Sequence, residues 1–437
     1  MIKIFIAENV PALNKGEMTI LEGMLESFKI LGEVEVTMLS SLPEIDQPRY
    51  GTKVKIIDAK KSLHLFGNPK GYNKVIAVLA SIFVTLQHMF FLILYRLFGP
   101  RAVKFMKSEI WKAYVESDAI LVGHDGTFGI GAGLGIVHFF SFLFIPFLSK
   151  IVGKPLVIYG GSVPRFSQYN FLDKLEKLAL SRVDLITLRE EAGYQNLKHS
   201  RLQNERVSVV GDPAFLLQPA PFEQIKKIMI QEGIDIASKP LIGMTVTREI
   251  ASMAFSDTTS SEDSYLKHVR MLAEVIDKLT DMLNATVIFI PHCIGFGEKL
   301  DDRIVAGDIF QVCRNKDRVK VITKEYGAGE LKGLIGQLDL FIGERLHSVI
   351  NAMSMCVPSI ALSLSTDQRL NIIKMFGQEN AICYVETLDA DALVSKINDV
   401  WAKRNKIREE LKSQTEIIKE RAMLNGKLLK KLLDSRR

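Results

Sequence analysis

The stretch Leu338–Leu364, LDLFIGERLHSVINAMSMCVPSIALSL, decides how the rest of the chain is read. An apolar run ends at Gly343, then Glu344, Arg345 and His347 stand where a helical pattern begins, and a second apolar run opens after Pro358. Strand, turn, helix and strand in that order form the repeating unit of a parallel α/β sheet, which binds ligands beyond the carboxyl ends of its strands. Arg345 and His347 fall at such an end. The helix start adds unpaired N–H groups and a partial positive charge. The stretch therefore predicts a site for a phosphate or carboxylate beside a titratable imidazole, with Gly343, Arg345, His347 and Ser348 around it.

Outward from this segment, apolar runs alternate with helical patterns along nearly the whole chain. Ile2–Ala7, Val34–Leu39, Ala119–Gly123, Leu156–Gly160, Leu185–Leu188 and Val207–Val210 make a first series of strands. Leu241–Val246, Val287–Ile290, Val319–Ile322, Leu340–Ile342 and Ser359–Leu362 make a second. Between them QPAPF, Gln218–Phe222, interrupts regular structure with two prolines. The expected architecture is α/β, with two Rossmann-like domains facing a cleft: residues 1–219 on the acceptor and membrane-facing side, 220–400 carrying the donor site, and a basic helix over 401–437.

Composition narrows the class of function. The chain has 437 residues and a formal net charge of +6. Residues 401–437 hold 12 Lys/Arg against 5 Asp/Glu, an excess of 7, so the first 400 residues carry about −1. A nearly neutral body argues against a nucleic-acid surface. The four cysteines have no CxxC spacing, and no His/Cys/Asp cluster has the spacing of metal ligands, so neither a disulfide framework nor a metal is expected. Met1–Ile6 runs straight into a strand pattern with no sign of a secretory leader, which points to a cytoplasmic protein.

Two apolar runs complicate that picture. Val75–Tyr95 holds 21 residues without Asp, Glu, Lys or Arg, and Leu134–Leu148 is a second uncharged run. A single crossing would separate strands that belong to one sheet. Contact of 75–98 and 134–148 with the inner face of the membrane, basic residues towards headgroups, is the expectation that keeps the sheet whole, with a buried core helix as the competing reading.

Further candidates lie at other strand ends. Asn14, Gly16 and Glu17 lead into the helix after the first strand. Gly123–Gly135, GHDGTFGIGAGLG, brings His124, Asp125 and Gly126 in a run with six glycines in thirteen residues. Gly161 and Ser162 end LVIYGGS, and His292 follows TVIFI. Arg189 ends DLITL in the position that Arg345 holds in the second series. Two guanidinium forks facing one cleft would suit a small dianion. Of the two histidines, His347, close to Arg345, is the expected acid or base.

NKGEMTIL, GHDGTFGIGAG, VIYGGSVP, DLITLREE, VGDPAFLL, FIPHC and GERLHSVINAMSMCVPSIAL, in this order, resemble the polysaccharide pyruvyl transferases from Ile2 to about Asn380. The resemblance implies a GT-B-like fold and transfer of a pyruvyl group from phosphoenolpyruvate to a pair of sugar hydroxyls as a ketal. The acceptor is then a cell-surface glycan or its lipid-linked precursor, and no cofactor beyond that co-substrate is needed. Arg189, Arg345 and His347 are implied as catalytic residues that hold phosphoenolpyruvate, with His347 the proton donor. Glu17 stands where the family commonly has Asp, and His124 and Asp125 interrupt its glycines. A nucleotide-sugar glycosyltransferase and a non-catalytic membrane-associated binding protein are the competing classes.

Overall fold

The computed structural model describes the chain except residues 60–85, 87–88, 107, 124–144, 164–169, 201–205, 256–259, 296, 298–299 and 437. Two parallel sheets carry the fold. The first has the order β3-β2-β1-β4-β5-β6-β7, built from Ile2–Asn9, Val34–Ser40, Lys55–Asp58, Ala119–Val122, Leu156–Gly161, Leu185–Leu188 and Val207–Val209. The second has the order β10-β9-β8-β11-β12-β13, built from Leu241–Thr245, Thr286–Phe289, Val319–Val321, Leu340–Gly343, Ser359–Ser363 and Ile382–Tyr384. Every pairing within both sheets is parallel. In each, the order reverses beside the first strand, at β1/β4 and at β8/β11, which is where doubly wound sheets bind ligands.

The strands read as unbroken apolar runs because both faces are covered. β4, β6, β9 and β11 are buried along their whole length. Phe5, Trp111, Ile120, Ile158 and Ile186 belong to the core of the first sheet. Met244, Leu272, Val287, Ile342 and Ile360 belong to that of the second. The sequence pattern misses β3 and β13, which close the sheets as short edge strands. Lys55–Asp58 has charged ends with only two apolar residues between them, and Ile382–Tyr384 is set between two short 3-10 turns.

The chain forms two compact units. The first comprises Met1–Ala12, Met24–Pro213 and Arg421–Arg437, and the second Leu13–Gly23 and Ala214–Glu420. The main division thus falls at Pro213, a few residues before the expected 219. Two segments also change sides: the loop after β1 belongs to the second unit, and the end of the basic helix Arg404–Asp434 to the first. In the first unit Asn425 accepts a hydrogen bond from Thr187 Oγ1 and donates to the Gly211 carbonyl, and Arg436 pairs with Asp184. Among the described residues no helix is long and apolar enough to cross a membrane. Of the run 75–95, residues 75–85, 87 and 88 lie outside the described residues, as do 134–144 of the second run.

Candidate functional site

The site grows from the β8/β11 switch point. Gly343 pairs in register with Thr245, and the Glu344 amide donates to the Thr245 carbonyl. Glu344 turns inward: its carboxylate accepts from the Thr247 amide at 2.6 Å and meets His268 Nε2 at 2.6 Å, and neither side chain of the Glu344–His268 pair is exposed. This buried pair pins the turn from which Arg345 and His347 project. Arg345 is the N-cap of the helix Leu346–Ser354, and no side chain caps that helix start. Ser348 donates to the Arg345 carbonyl and shares a hydrogen bond with Thr245, so it stiffens the turn. Gly343 has no room for a Cβ, which would sit 2.7 Å from Val349 and 2.9 Å from Ser348 Oγ.

A second wall comes from the loop after β1, hundreds of residues away in sequence. Asn14 bridges Cys293, the Lys15 amide donates to the His292 carbonyl at 2.7 Å, and Ile294 donates back to Leu13. Asn14 caps the helix Lys15–Phe28 through Gly16 and holds Glu17 by a side-chain hydrogen bond. Gly16 then lies directly against the imidazole: a Cβ there would be 3.0 Å from His347 Nδ1 and 3.2 Å from His347 Cβ. Lys15 is 1% exposed and pairs with Glu325 at 2.8 Å. From the other side Asp302 accepts from the His292 and Cys293 amides and receives Arg345 Nη2 at 2.7 Å.

The electrostatics are those of a crowded cluster in which Lys15 and Arg345 are each paired with a carboxylate. Burial, aided by Arg345, His347 and Lys15 and opposed by the Ile290 carbonyl, pushes the His292 pKa from 6.5 down to about 3. His292 is thus neutral at ordinary pH, its Nδ1 near the Ile290 carbonyl and its Nε2 without a partner among the described residues. Burial lifts the Asp302 carboxyl above its usual range even though Arg345 and two amides favour its ionised form. Burial works against the Arg345 charge, and Asp302 more than offsets it. Among the described residues Arg345 Nε is enclosed without a partner, while 22% of the side chain remains open. Among the described residues no group of three or more His, Cys, Asp or Glu could hold a metal.

The structure therefore gathers Asn14, Gly16, Glu17, His292, Gly343, Arg345, His347 and Ser348 in the second unit. Arg189, Gly161 and Ser162 belong to the first. There Arg189 is wholly buried, donating through Nε to Ser162 Oγ at 2.8 Å and pairing with the equally buried Asp212 at 3.1 Å. Ser162 donates in turn to Glu190. Gly161 is demanded by packing, since a Cβ would lie 2.2 Å from the Gly123 carbonyl oxygen. His124, Asp125 and Gly126 lie outside the described residues. Sequence reading passes over Lys15, His268, Asp302 and Glu344 as site-forming residues. Their partners are remote, Lys15 and Glu325 being 310 positions apart, so only an isolated buried-type lysine before Gly16 hints at them.

The match to known proteins follows this geometry. The model of the polysaccharide pyruvyl transferase family matches residues 14–366, from the Asn14 loop through β12, and the chain belongs to that family. The amylovoran biosynthesis protein AmsJ of Erwinia amylovora is 24% identical over 283 residues, which span 64% of this chain and 66% of that protein. Among solved structures, Anabaena Alr3699/HepE in complex with UDP superposes with a TM-score of 0.57 at 12% identity, covering 100% of both chains. The UDP-GlcNAc 2-epimerase of Methanocaldococcus jannaschii gives 0.56 at 10% identity over 92% of each chain. Apo UGT2 of Phytolacca americana gives 0.53 at 12% identity, covering 100% of this chain and 99% of that one. The fold is GT-B-like, built from two Rossmann-like units.

Proposed function

We propose that the chain transfers the pyruvyl group of phosphoenolpyruvate to two hydroxyls of a sugar, forming a ketal on a cell-surface glycan or its lipid-linked precursor. The observation that carries this reading is the gathering of Arg345, His347 and Lys15 about a neutral, buried His292 at a helix start that no side chain caps. Such a pocket suits a small, doubly charged donor. The family to which the chain belongs supports the group transferred, and the name of its Erwinia relative supports a polysaccharide acceptor.

In the proposed reaction, Arg345 and the helix start hold the carboxylate and phosphate. His347 gives a proton to the methylene carbon as a sugar hydroxyl adds to C2, and the hydroxyl proton returns to the imidazole. A second hydroxyl then attacks the same carbon, the bond from that carbon to the phosphate oxygen breaks, and the hydroxyl proton leaves with the phosphate as hydrogen phosphate. No step calls on a metal or redox cofactor. Arg189 we assign to the framework of the first unit, because its guanidinium is already committed to Asp212 and Ser162. The reaction would take place on the cytoplasmic side, with the protein against the inner face of the membrane where a lipid-linked acceptor is held.

The competing reading is a nucleotide-sugar glycosyltransferase, favoured by the likeness in fold to proteins whose structures contain UDP. A ligand that binds only the native state raises the unfolding midpoint. Phosphoenolpyruvate is expected to raise it and UDP-glucose to leave it unchanged; the opposite result would hand the site to a nucleotide sugar. His347→Gln, with folding retained, is expected to abolish ketal formation, and turnover near wild type would remove the imidazole from the mechanism.

A further inference from the structure

The described part of the first apolar run forms a helix, residues 89–98, with two unlike faces. The inner face is taken up by the core of the first unit. Phe91 is 0% exposed and stacks on Trp111 with ring centroids 3.8 Å apart, and Leu92, Leu94 and Tyr95 pack beside it. Among the described residues none covers the outer face: Leu86, Met89, Phe90, Ile93 and Leu97 are between 52% and 69% exposed. At 3.6 residues per turn Met89, Phe90, Ile93 and Leu97 lie within an arc of about 100°, opposite Phe91 and Tyr95. The helix would be anchored without them, so their exposure calls for a partner.

We propose that this face docks onto an anionic bilayer surface, and the proposal rests on the membrane-side acceptor put forward above. Charge selects lipid over protein. Arg96, Arg101 and Lys104 are exposed at the edge and just beyond the end of the helix, and no Asp or Glu occurs between Leu86 and Ser108. The five apolar side chains carry no hydrogen-bonding atom, whereas a protein partner ordinarily makes about one hydrogen bond per 100–200 Å² of interface. A shallowly inserted helix with a one-sign basic edge matches an acyl boundary beneath negatively charged headgroups. Phe91 and Leu94 are not part of this surface, and polar residues there would report on the core instead.

Cosedimentation of the full chain with phosphatidylcholine vesicles, with and without phosphatidylglycerol, tests the assignment. Wild type is expected to bind the mixed vesicles and to lose most of that binding at high salt. Phe90→Ser, Ile93→Ser and Leu97→Ser together are expected to weaken binding by about tenfold or more at an unchanged unfolding midpoint. Arg96→Gln, Arg101→Gln and Lys104→Gln together are expected to erase the preference for phosphatidylglycerol. Wild type that stays in the supernatant, or a serine variant that binds as wild type does, overturns the proposal. So does a serine variant that only turns an oligomer into a monomer on size exclusion, which would give the face to a second copy. Turnover with a short soluble saccharide separates this from the chemistry: its absence beside intact vesicle binding would sink the pyruvyl reading and leave the docking surface standing.

Discussion

Arg189 and Arg345 occupy matching places, each just past a strand of a parallel sheet and each paired with an aspartate, yet their surroundings make them different kinds of residue. Arg189 has no exposed surface, and its fork is divided between Ser162 and a fully buried Asp212. Arg345 gives one nitrogen to Asp302, keeps about a fifth of its side chain open and leaves Nε without a partner among the described residues. A strand-end arginine is thus a statement about position only. Whether its charge is available to a ligand depends on how completely the neighbours use its donors.

Substitutions can break or sharpen this contrast. Arg189→Leu takes the counter-charge from a buried carboxylate and is expected to cost about 3–5 kcal/mol of stability, read by denaturant unfolding. Near-wild-type stability would mean that Arg189 is not framework. Arg345→Lys keeps a charge for Asp302 but loses the planar fork, so turnover is expected to fall about 100-fold while the unfolding midpoint barely moves. If stability fell instead and turnover held, the two arginines would be equivalent after all.

The next effect depends on pH. His292 has a folded-state pKa of about 3 against 6.5 for the ordinary group, so below pH 6.5 the unfolded chain takes up a proton that the folded chain refuses. The stability present above that pH is lost as pH falls towards 3, by at most about 1.4 kcal/mol per pH unit. His292→Asn is expected to flatten this part of the stability profile, and an unchanged slope would show that the imidazole is not shielded. The smallest effect is that of Gly16→Ala, which must push the His347 ring by a few tenths of an ångström. It is expected to lower turnover about tenfold with stability retained. Full activity would mean that the close approach of Gly16 does not fix the imidazole.

Much of the fold was legible, because a strand covered on both faces must be apolar throughout and a helix beside it must alternate. Eleven strands could be read in this way; β3 and β13 could not, although the other two edge strands, β7 and β10, could. The placing of Gly343, Arg345 and His347 at a strand end and helix start was legible too. The wall formed by Asn14, Lys15 and Gly16 was seen only as a loop after the first strand, because its partners Cys293, Glu325 and His347 follow in the second half of the chain. Gly161 was legible only as a strand end; that a Cβ there would meet the Gly123 carbonyl depends on packing.

The sequence by itself determined two series of parallel strands, the helix start that carries Arg345 and His347, and an uncharged run unsuited to a plain surface. These are periodicities and neighbour relations, which a linear chain states directly. Only the tertiary structure decided that Leu13–Gly23 belongs with the second unit, that Arg189 is enclosed by its own ion pair, and that helix 89–98 turns Phe91 inward and Ile93 outward. Burial and pairing depend on groups far apart along the chain, and packing alone chooses which of several possible partners each one meets.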